Sequence, residues 1–164
     1  MKPSIYKITC EAPGTLFIMP KPSGDWLDDD IAAYRTAGMD NVVSLLTTDE
    51  AHDLSLQNER ASCEAQSIDY VQFPIVDRGL PDSRAFFELV TNVRENLIGG
   101  RNVGIHCRAG IGRSGMLASC VLVSLGLTAD QAVAAVSQAR GVDIPDTEEQ
   151  LDFVRGFASM ARGR

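Results

Sequence analysis

Short apolar runs alternate along the chain with longer segments whose apolar residues recur at helical spacing. The short runs are rich in β-branched and aromatic residues, and they predict buried strands at Leu16–Met19, Val42–Leu46, Tyr70–Phe73 and Val103–Ile105. The longer segments predict helices at Asp25–Thr36, Thr48 to about Ala65, Ser83–Ile98, Ser114–Leu125, Ala129–Arg140 and from about Glu148 onward. This alternation predicts an α/β fold with a mainly parallel sheet of roughly four to five strands, flanked by helices.

Capping signals support two of the predicted helices. Asp82 is placed as the N-cap of Ser83–Ile98 and Gly99 as its terminator. The expected buried stripe of this helix consists of Phe86, Val90, Val93 and Leu97. Thr128 and Gln131 form the pattern of a capping box ahead of Ala129–Arg140.

The length of 164 residues, without a repeat, low-complexity tract or linker, predicts one catalytic or binding domain over residues 1–164, with its core over about 16–157. In open α/β sheets, ligands bind at the carboxyl ends of the strands. The residues that follow Ile105, Phe73 and Leu46 are therefore the first candidates for chemistry.

Composition and charge exclude several classes of protein. With 45% hydrophobic and 23% charged residues the chain is globular in composition, and no apolar run approaches the roughly 20 residues that span a bilayer. The formal net charge of −7 opposes nucleic acid and anionic membrane surfaces as partners. No secretory signal is recognisable and the four cysteines are irregularly spaced, so we expect a cytoplasmic monomer with free thiols. The spacing of cysteines and histidines does not fit a zinc site, and no metal or other cofactor is predicted.

The most informative segment follows Ile105 and reads HCRAGIGRSG, from His106 to Gly115. A strand that ends at His106 and a helix that starts near Arg113 leave a tight loop whose backbone N–H groups can converge on one anion. Glycines allow the backbone angles of such a curl, and the planar guanidinium of Arg113 can bind two phosphate oxygens at once. The phosphate would be cradled by the backbone of Arg108, Ala109, Gly110, Ile111 and Gly112.

Cys107 stands at the start of this loop, where the backbone donors and the helix dipole would stabilise a thiolate. A thiolate beneath a bound phosphoryl group can attack phosphorus and form a phosphocysteine, while Ser114 Oγ donates a hydrogen bond to the sulfur. His106 lies on the strand side, so we expect it to order the loop by hydrogen bonding rather than to act as a base. The alternative is a buried structural cysteine in a glycine-rich turn.

The segment His106–Gly115 resembles the signature loop of the cysteine-dependent protein tyrosine phosphatase superfamily. Upstream, the segment Ile75–Pro81 is similar to the mobile acid loop of that family, with Ile-Val in place of the Trp-Pro of the larger enzymes. This replacement and the compact length indicate the dual-specificity branch, and the acid loop is most similar to that of kinase-associated phosphatase and its bacterial relatives. The resemblance is specific at these two loops and looser over Leu16–Phe157.

Hydrolysis of a phosphomonoester needs an acid that protonates the leaving group. Asp77 follows the strand Tyr70–Phe73, so the sheet places it beside the phosphate loop, and its position in the acid loop implies the same role. The alternative is a turn aspartate that bonds its own backbone before Gly79. Asp82 is the second candidate for the acid, although its position ahead of a helix favours capping.

The segment Asp146–Gln150 resembles the glutamine loop that, in this family, positions the water that cleaves the phosphocysteine. Only Gln150 matches, because Asp146 stands where the tyrosine phosphatases have their first glutamine. Thr147 and Gln150 also fit a capping box, so Gln150 has two alternative roles.

Charged residues are expected around the mouth of the predicted pocket. Arg78 and Arg108 flank it, either as contacts to substrate phosphate or as solvated surface residues. Three polar residues follow the strand Val42–Leu46: Asp49, Glu50 and His52. They can either reach the rim of the predicted pocket or form the acidic first turn of a helix. A protective disulfide between Cys63 and Cys107 is not predicted.

These residues predict a protein phosphatase that acts on phosphotyrosine in a phosphorylated protein or peptide. No tyrosine-recognition loop is recognisable near the N-terminus, which favours a shallower cleft that also admits phosphoserine and phosphothreonine. An inositol-lipid phosphatase is a second interpretation, disfavoured because the loop lacks lysine and the chain is acidic. A binding module without turnover is a third, and the complete set of catalytic residues disfavours it.

Overall fold

A computed structural model describes residues 2–162 of the chain. The strands are β1 Tyr6–Ile8, β2 Leu16–Met19, β3 Asn41–Ser44, β4 Asp69–Gln72 and β5 Val103–His106. The helices are α1 Leu27–Thr36, α2 Thr48–Asp53, α3 Glu59–Ala65, α4 Ser83–Ile98, α5 Gly112–Ser124, α6 Ala129–Arg140 and α7 Glu148–Arg162. Among these described elements, no helix combines the length and the apolar character needed to cross a bilayer.

The strands form one sheet in the order β1-β2-β5-β3-β4, with β1 antiparallel to β2 and the other neighbours parallel. Alternate residues of β2 enter opposite cores, as the period of a strand requires. Leu16 and Ile18 pack with the helices α4, α5, α6 and α7, whereas Phe17 and Met19 pack with α1 and α3. The predicted α/β fold, with a mainly parallel sheet between helices, is confirmed.

The capping predictions are also confirmed. The side chain of Asp82 accepts a hydrogen bond of 3.0 Å from the amide of Ala85 and begins α4. Gly99 is the C-cap of α4, and the predicted stripe of four apolar residues on this helix is buried. The Thr128 and Gln131 capping box begins α6 with both of its hydrogen bonds formed.

Two predictions of elements need correction. β1 was not predicted, because it is a three-residue edge strand in which only Ile8 is buried. It forms a strand by pairing with β2, and its own sequence shows no alternation of apolar and polar residues long enough to predict one. The single helix predicted from Thr48 to about Ala65 is two helices. Ser55 adopts a left-handed φ of 58° after α2 ends, and the buried Leu56 lies in the connection to α3.

The sheet order positions the functional loops. β5 lies at the centre, hydrogen bonded to β2 on one side and to β3 on the other, and its residues are all buried. The carboxyl ends of β3, β4 and β5 therefore meet at one edge of the sheet. The segments that follow these strands are α2, the predicted acid loop (Ile75–Pro81) and the predicted phosphate-binding loop, which we define as residues 107–113.

Candidate active site

The phosphate-binding loop is held from outside by bonds to its carbonyl oxygens. The amide of Lys21 donates to Arg108 O at 3.0 Å, and the Arg140 guanidinium donates to Ala109 O at 3.1 Å and to Gly110 O at 3.2 Å. Within residues 2–162, by contrast, the amides of residues 108–111 find no protein acceptor. A tight loop whose amides are free of internal partners is suited to binding an anion.

Gly110 makes the tight curl possible. Its φ is +73°, and a Cβ atom at this position would lie 2.4 Å from the carbonyl oxygen of Met19. Any other residue at this position would have an unfavourable backbone angle, and its Cβ atom would also collide with β2. The loop can approach the end of β2 only because residue 110 is glycine.

Cys107 and Ser114 lie at the base of this loop. Cys107 is 3% exposed, and it lines a cavity of about 190 Å³ together with Asp77 and Arg113. Ser114 is fully buried, and within the described part of the chain its hydroxyl has no hydrogen-bond partner. A buried hydroxyl without a partner is costly, and the predicted bond to the Cys107 sulfur would give it one.

His106 contacts a residue that the sequence did not single out. Its Nδ1 lies 3.1 Å from the carbonyl oxygen of Cys107, and its Nε2 lies 2.6 Å from Glu59 Oε2. Both side chains are buried, at 0% and 1% exposure. The ring is thus tied to the start of the loop, which supports the predicted ordering role. A glutamate in the first turn of a helix gives no sequence signal for such a partner, since it usually faces solvent.

Arg113 is fixed by a bidentate ion pair with Glu50. Its Nη1 donates to Glu50 Oε1 at 2.6 Å and to Ile75 O at 2.8 Å, and its Nη2 donates to Glu50 Oε2 at 3.0 Å. Burial acts to raise the pKa of Glu50, but the hydrogen bonds from Arg113 and Thr47 outweigh it and the pKa is lowered from its ordinary value. Glu50 therefore stays ionised beside the buried guanidinium.

Glu50 lies in the acidic first turn of α2, as one of the two alternatives predicted, and it has two roles there. It closes the capping box of α2 with Thr47, and it reaches the site through Arg113. Arg108 also approaches the same carboxylate, with Nε 3.6 Å from Oε2. None of the three residues proposed for the rim lines the cavity at Cys107 itself: Asp49, Glu50 and His52.

Asp77 lines the same cavity. Its Oδ1 is 3.3 Å from Arg113 Nη2, and its side chain is 58% exposed. The acid loop itself turns tightly, with the amide of Gly79 bonded to Val76 O at 2.8 Å and with Arg78 at a φ of 61°. The structure thus brings the predicted acid to the same cavity as Cys107.

The acid loop is joined to the start of α7. Arg78 pairs with Asp146 at 3.1 Å, and Gln150 Nε2 donates to Gly79 O at 3.3 Å. Gln150 Oε1 accepts from the amides of Asp146 and Thr147 at 3.2 and 3.3 Å. The capping alternative for Gln150 is therefore realised, and both ends of its buried amide already have partners. A water-positioning role for Gln150 stays a prediction.

The other cysteines are separate from the site. Within the described residues all four cysteines are free, and burial raises the pKa of Cys63 to about 12, which makes it a poor partner for thiol exchange. Within residues 2–162, no three or more histidine, cysteine, aspartate or glutamate side chains lie together in a way that could hold a metal ion.

The sequence is similar to known proteins over most of its length. A family model described as Swiss Army Knife protein, DSP-PTPase phosphatase domain, matches residues 10–158. Cyclin-dependent kinase inhibitor 3 of Rattus norvegicus is 26% identical over 150 residues, which cover 90% of this chain and 69% of the relative.

Two solved structures have the same fold. Kinase associated phosphatase with serine in place of its catalytic cysteine superposes with a TM-score of 0.89 and 21% identity, covering 100% of this chain and 98% of the other. Tk-PTP in its active form superposes with a TM-score of 0.74 and 25% identity, covering 89% and 92% of the two chains.

Proposed function

The chain belongs to the DSP-PTPase phosphatase family, and on that premise we propose that it hydrolyses phosphotyrosine, phosphoserine and phosphothreonine in proteins through a phosphocysteine intermediate. The observation that carries this proposal is the convergence of Cys107, Arg113 and Asp77 on one cavity. A nucleophile, a cation for the phosphoryl oxygens and an acid for the leaving group are the groups that this reaction requires.

In the first step the phosphate dianion binds to the free amides of the loop and to Arg113. The Cys107 sulfur attacks phosphorus, the bond from phosphorus to the ester oxygen breaks, and Asp77 gives its proton to the departing oxygen. In the second step water attacks the phosphocysteine while the Asp77 carboxylate takes one of its protons. The sulfur leaves as a thiolate, stabilised by a hydrogen bond from Ser114 Oγ, and inorganic phosphate is released.

The charges at the rim favour a peptide over a membrane lipid as the substrate. Arg78 and Arg108, the exposed arginines of the cavity, both lie within ion-pair distance of carboxylates, at Asp146 and Glu50 respectively. An anionic membrane surface attracts unpaired basic clusters, and the net charge of −7 would oppose it.

We also propose that residues 1–164 form one catalytic domain that works as a cytoplasmic monomer without a metal. One continuous sheet lies at the centre of the described chain, and free cysteines suit a reducing compartment.

The substrate class is tested with a panel of phosphorylated compounds in the presence of a chelator. We expect hydrolysis of para-nitrophenyl phosphate and of phosphotyrosine, phosphoserine and phosphothreonine peptides, with short-chain phosphoinositides much slower. Dependence on an added metal would contradict the thiolate mechanism. A preference for phosphoinositides would show that the protein is a lipid phosphatase. If none of the compounds is hydrolysed, the proposed function is wrong.

Asp77→Asn is expected to lower kcat for substrates with poor leaving groups by about 10²–10⁴-fold, because the departing oxygen then leaves without a proton. Substrates with good leaving groups should be affected much less, so the measurement is kcat against leaving-group basicity. Asp82→Asn is the matched control, since asparagine caps a helix about as well as aspartate. An unchanged profile in Asp77→Asn, or the same loss in the control, would place the acid elsewhere.

Glu50→Gln is expected to lower kcat/KM by about ten- to a hundredfold, because Arg113 loses the charged partner that orients it. Glutamine can keep the capping box of α2, so the change isolates the ion pair from the helix cap. Asp49→Asn, in the same helical turn, serves as the control. Equal kcat/KM in the Glu50 variant and the wild type would show that Arg113 is oriented without this pair.

A further inference from the structure

The cavity at Cys107 contains a second carboxylate besides Asp77, and it takes no part in the steps above. This carboxylate belongs to Asp146, just before α7, which lines the cavity together with Arg78. Asp146 Oδ2 lies 3.1 Å from Nη1 of Arg78, the residue that follows Asp77 in the acid loop. Asp146 therefore contacts the acid loop directly beside the residue that the reaction uses as its acid.

The backbone at Asp146 is fixed from two sides. The amides of Asp146 and Thr147 donate to Gln150 Oε1 at 3.2 and 3.3 Å, and Thr147 Oγ1 accepts from the Gln150 amide at 3.1 Å. On the other side, a Cβ atom at Gly112 would lie 2.9 Å from Asp146 Cβ. Asp146 thus packs directly against the phosphate-binding loop, so its carboxylate is anchored beside the site.

Apolar packing contributes little to the position of the acid loop after Ile75. Val76 and Leu80 are 72% and 48% exposed, so their side chains bury little surface against the rest of the protein. Arg78 has a left-handed φ of 61°. This backbone angle is unfavourable for a residue with a Cβ atom, and it persists only where the surroundings fix it. The position of the loop therefore depends on its polar contacts.

Beyond Ile75, the polar contacts of the acid loop with the rest of the described chain lie at two places. One is Arg113, whose Nη2 lies 3.3 Å from Asp77 Oδ1. The other is the start of α7, where Asp146 and Gln150 bind the loop. These two places respond differently to the reaction.

The contact with Arg113 weakens at the moment when the acid is needed. Asp77 can protonate a leaving group only while it carries a proton, and a neutral carboxyl group no longer forms an ion pair with a guanidinium. A bound phosphate also competes for Arg113, because the dianion attracts the same guanidinium. The pair of Arg78 and Asp146 involves neither the proton of Asp77 nor Arg113, so it can hold the loop in that state.

We propose that Asp146 is a positioning residue for the acid, because through Arg78 it keeps the protonated Asp77 in the cavity. This inference rests on the proposed function. Gln150 supports the same loop by its bond to the carbonyl oxygen of Gly79. A carboxylate at position 146 fits this role because a charge-assisted hydrogen bond to a guanidinium is about twice as strong as a neutral one.

The position of the loop is measured by hydrogen exchange of the Gly79 amide, which bonds Val76 O inside the turn. In Asp146→Ala this amide should exchange about two- to fivefold faster, because an exposed ion pair shifts an equilibrium by about that factor. Asp143→Ala, at an exposed residue of the same connection, is the matched control and should exchange like the wild type. Equal exchange in Asp146→Ala and the wild type would overturn the proposal. This measurement needs no turnover.

The effect on the acid is measured as kcat/KM for substrates of different leaving-group basicity. For poor leaving groups such as phosphoserine peptides, kcat/KM of Asp146→Ala should fall about two- to fivefold, whereas for good leaving groups it should match the wild type. Asp143→Ala should match the wild type for both. The same loss for every leaving group would overturn the proposal. An unchanged kcat/KM with a burst of the released alcohol would also overturn it, because kcat/KM covers only the first step, and the burst would assign Asp146 to the water of the second.

The pairing with Arg78 is tested by combining variants. Arg78→Gln and Asp146→Ala should each lower kcat/KM for poor leaving groups, and the double variant should lose no more than the larger single loss. Additive losses would contradict the proposal. A further loss when Asp146→Ala is added to Asp77→Asn would contradict it too, because that variant has no acid left to position. An inactive wild type would overturn the proposed function, and hydrogen exchange would still decide whether Asp146 holds the loop.

Discussion

Cys107→Ser is expected to lower kcat by about 10⁴-fold or more while phosphate binding persists. A serine hydroxyl is not ionised at neutral pH, so it needs a neighbouring base to become a nucleophile. The nearest imidazole, His106, is already engaged at both ring nitrogens. The variant therefore keeps the binding loop and loses the attacking group.

Binding is measured separately from turnover by the stabilisation that inorganic phosphate gives to the folded variant. A ligand at about 100 times its Kd raises the free energy of unfolding by about 2.7 kcal/mol. The serine variant should bind phosphate at least as tightly as the wild type, because the thiolate no longer repels the anion. Cys10→Ser, at a half-buried cysteine of the described chain that is not part of the cavity, is the control and should retain full activity. Near-normal turnover in Cys107→Ser would assign the nucleophile to another residue.

Arg113→Lys is expected to lower kcat/KM by about 10³-fold, within the range found when an arginine that stabilises phosphoryl transfer is lost. Nη1 of the guanidinium donates to Glu50 and to the carbonyl oxygen of Ile75. Nη2 donates to Glu50 and also lies 3.3 Å from Asp77 Oδ1. Nε and the remaining Nη2 hydrogen are left for a phosphate. A lysine ammonium has three donors on one atom and cannot hold Glu50 and two phosphate oxygens in one plane.

This loss should appear in both kcat and phosphate binding, which distinguishes Arg113→Lys from Cys107→Ser. Arg155→Lys is the control, because Arg155 is exposed and lies outside the cavity. Circular dichroism establishes whether the buried substitution still folds, since Glu50 keeps only part of its pairing. A folded Arg113→Lys protein with wild-type kcat/KM would contradict the assignment of this arginine to the phosphoryl group.

The phosphate-binding loop could be predicted from the sequence because its chemistry is local. Consecutive amides form the nest, Gly110 supplies the positive φ, and the residues that bracket the loop end a strand and begin a helix. The caps at Asp82 and Thr128 are local for the same reason, since each side chain bonds an amide three residues ahead. Asp77 could be assigned to the site because parallel strands end at a common edge.

Contacts between distant segments could not be predicted in this way. Glu50 is 63 residues from Arg113, and Glu59 is 47 residues from His106, yet each pair lies within 2.6 Å. In the sequence both glutamates have the pattern of an ordinary acidic first turn of a helix. The two short helices that carry them were predicted as one, so the face that each presents to the sheet could not be known.

The sequence by itself determined the α/β fold, the phosphate-binding loop and the candidate nucleophile and acid, because these depend on local geometry and on strand order. The tertiary structure decided which side chains hold that chemistry in place. The order β5-β3-β4 brings α2 and α3 against the end of β5, where the half-buried Glu50 pairs with Arg113 and the buried Glu59 contacts His106. A buried polar or charged side chain requires a hydrogen-bonding partner, and only folding determines which distant residue provides it.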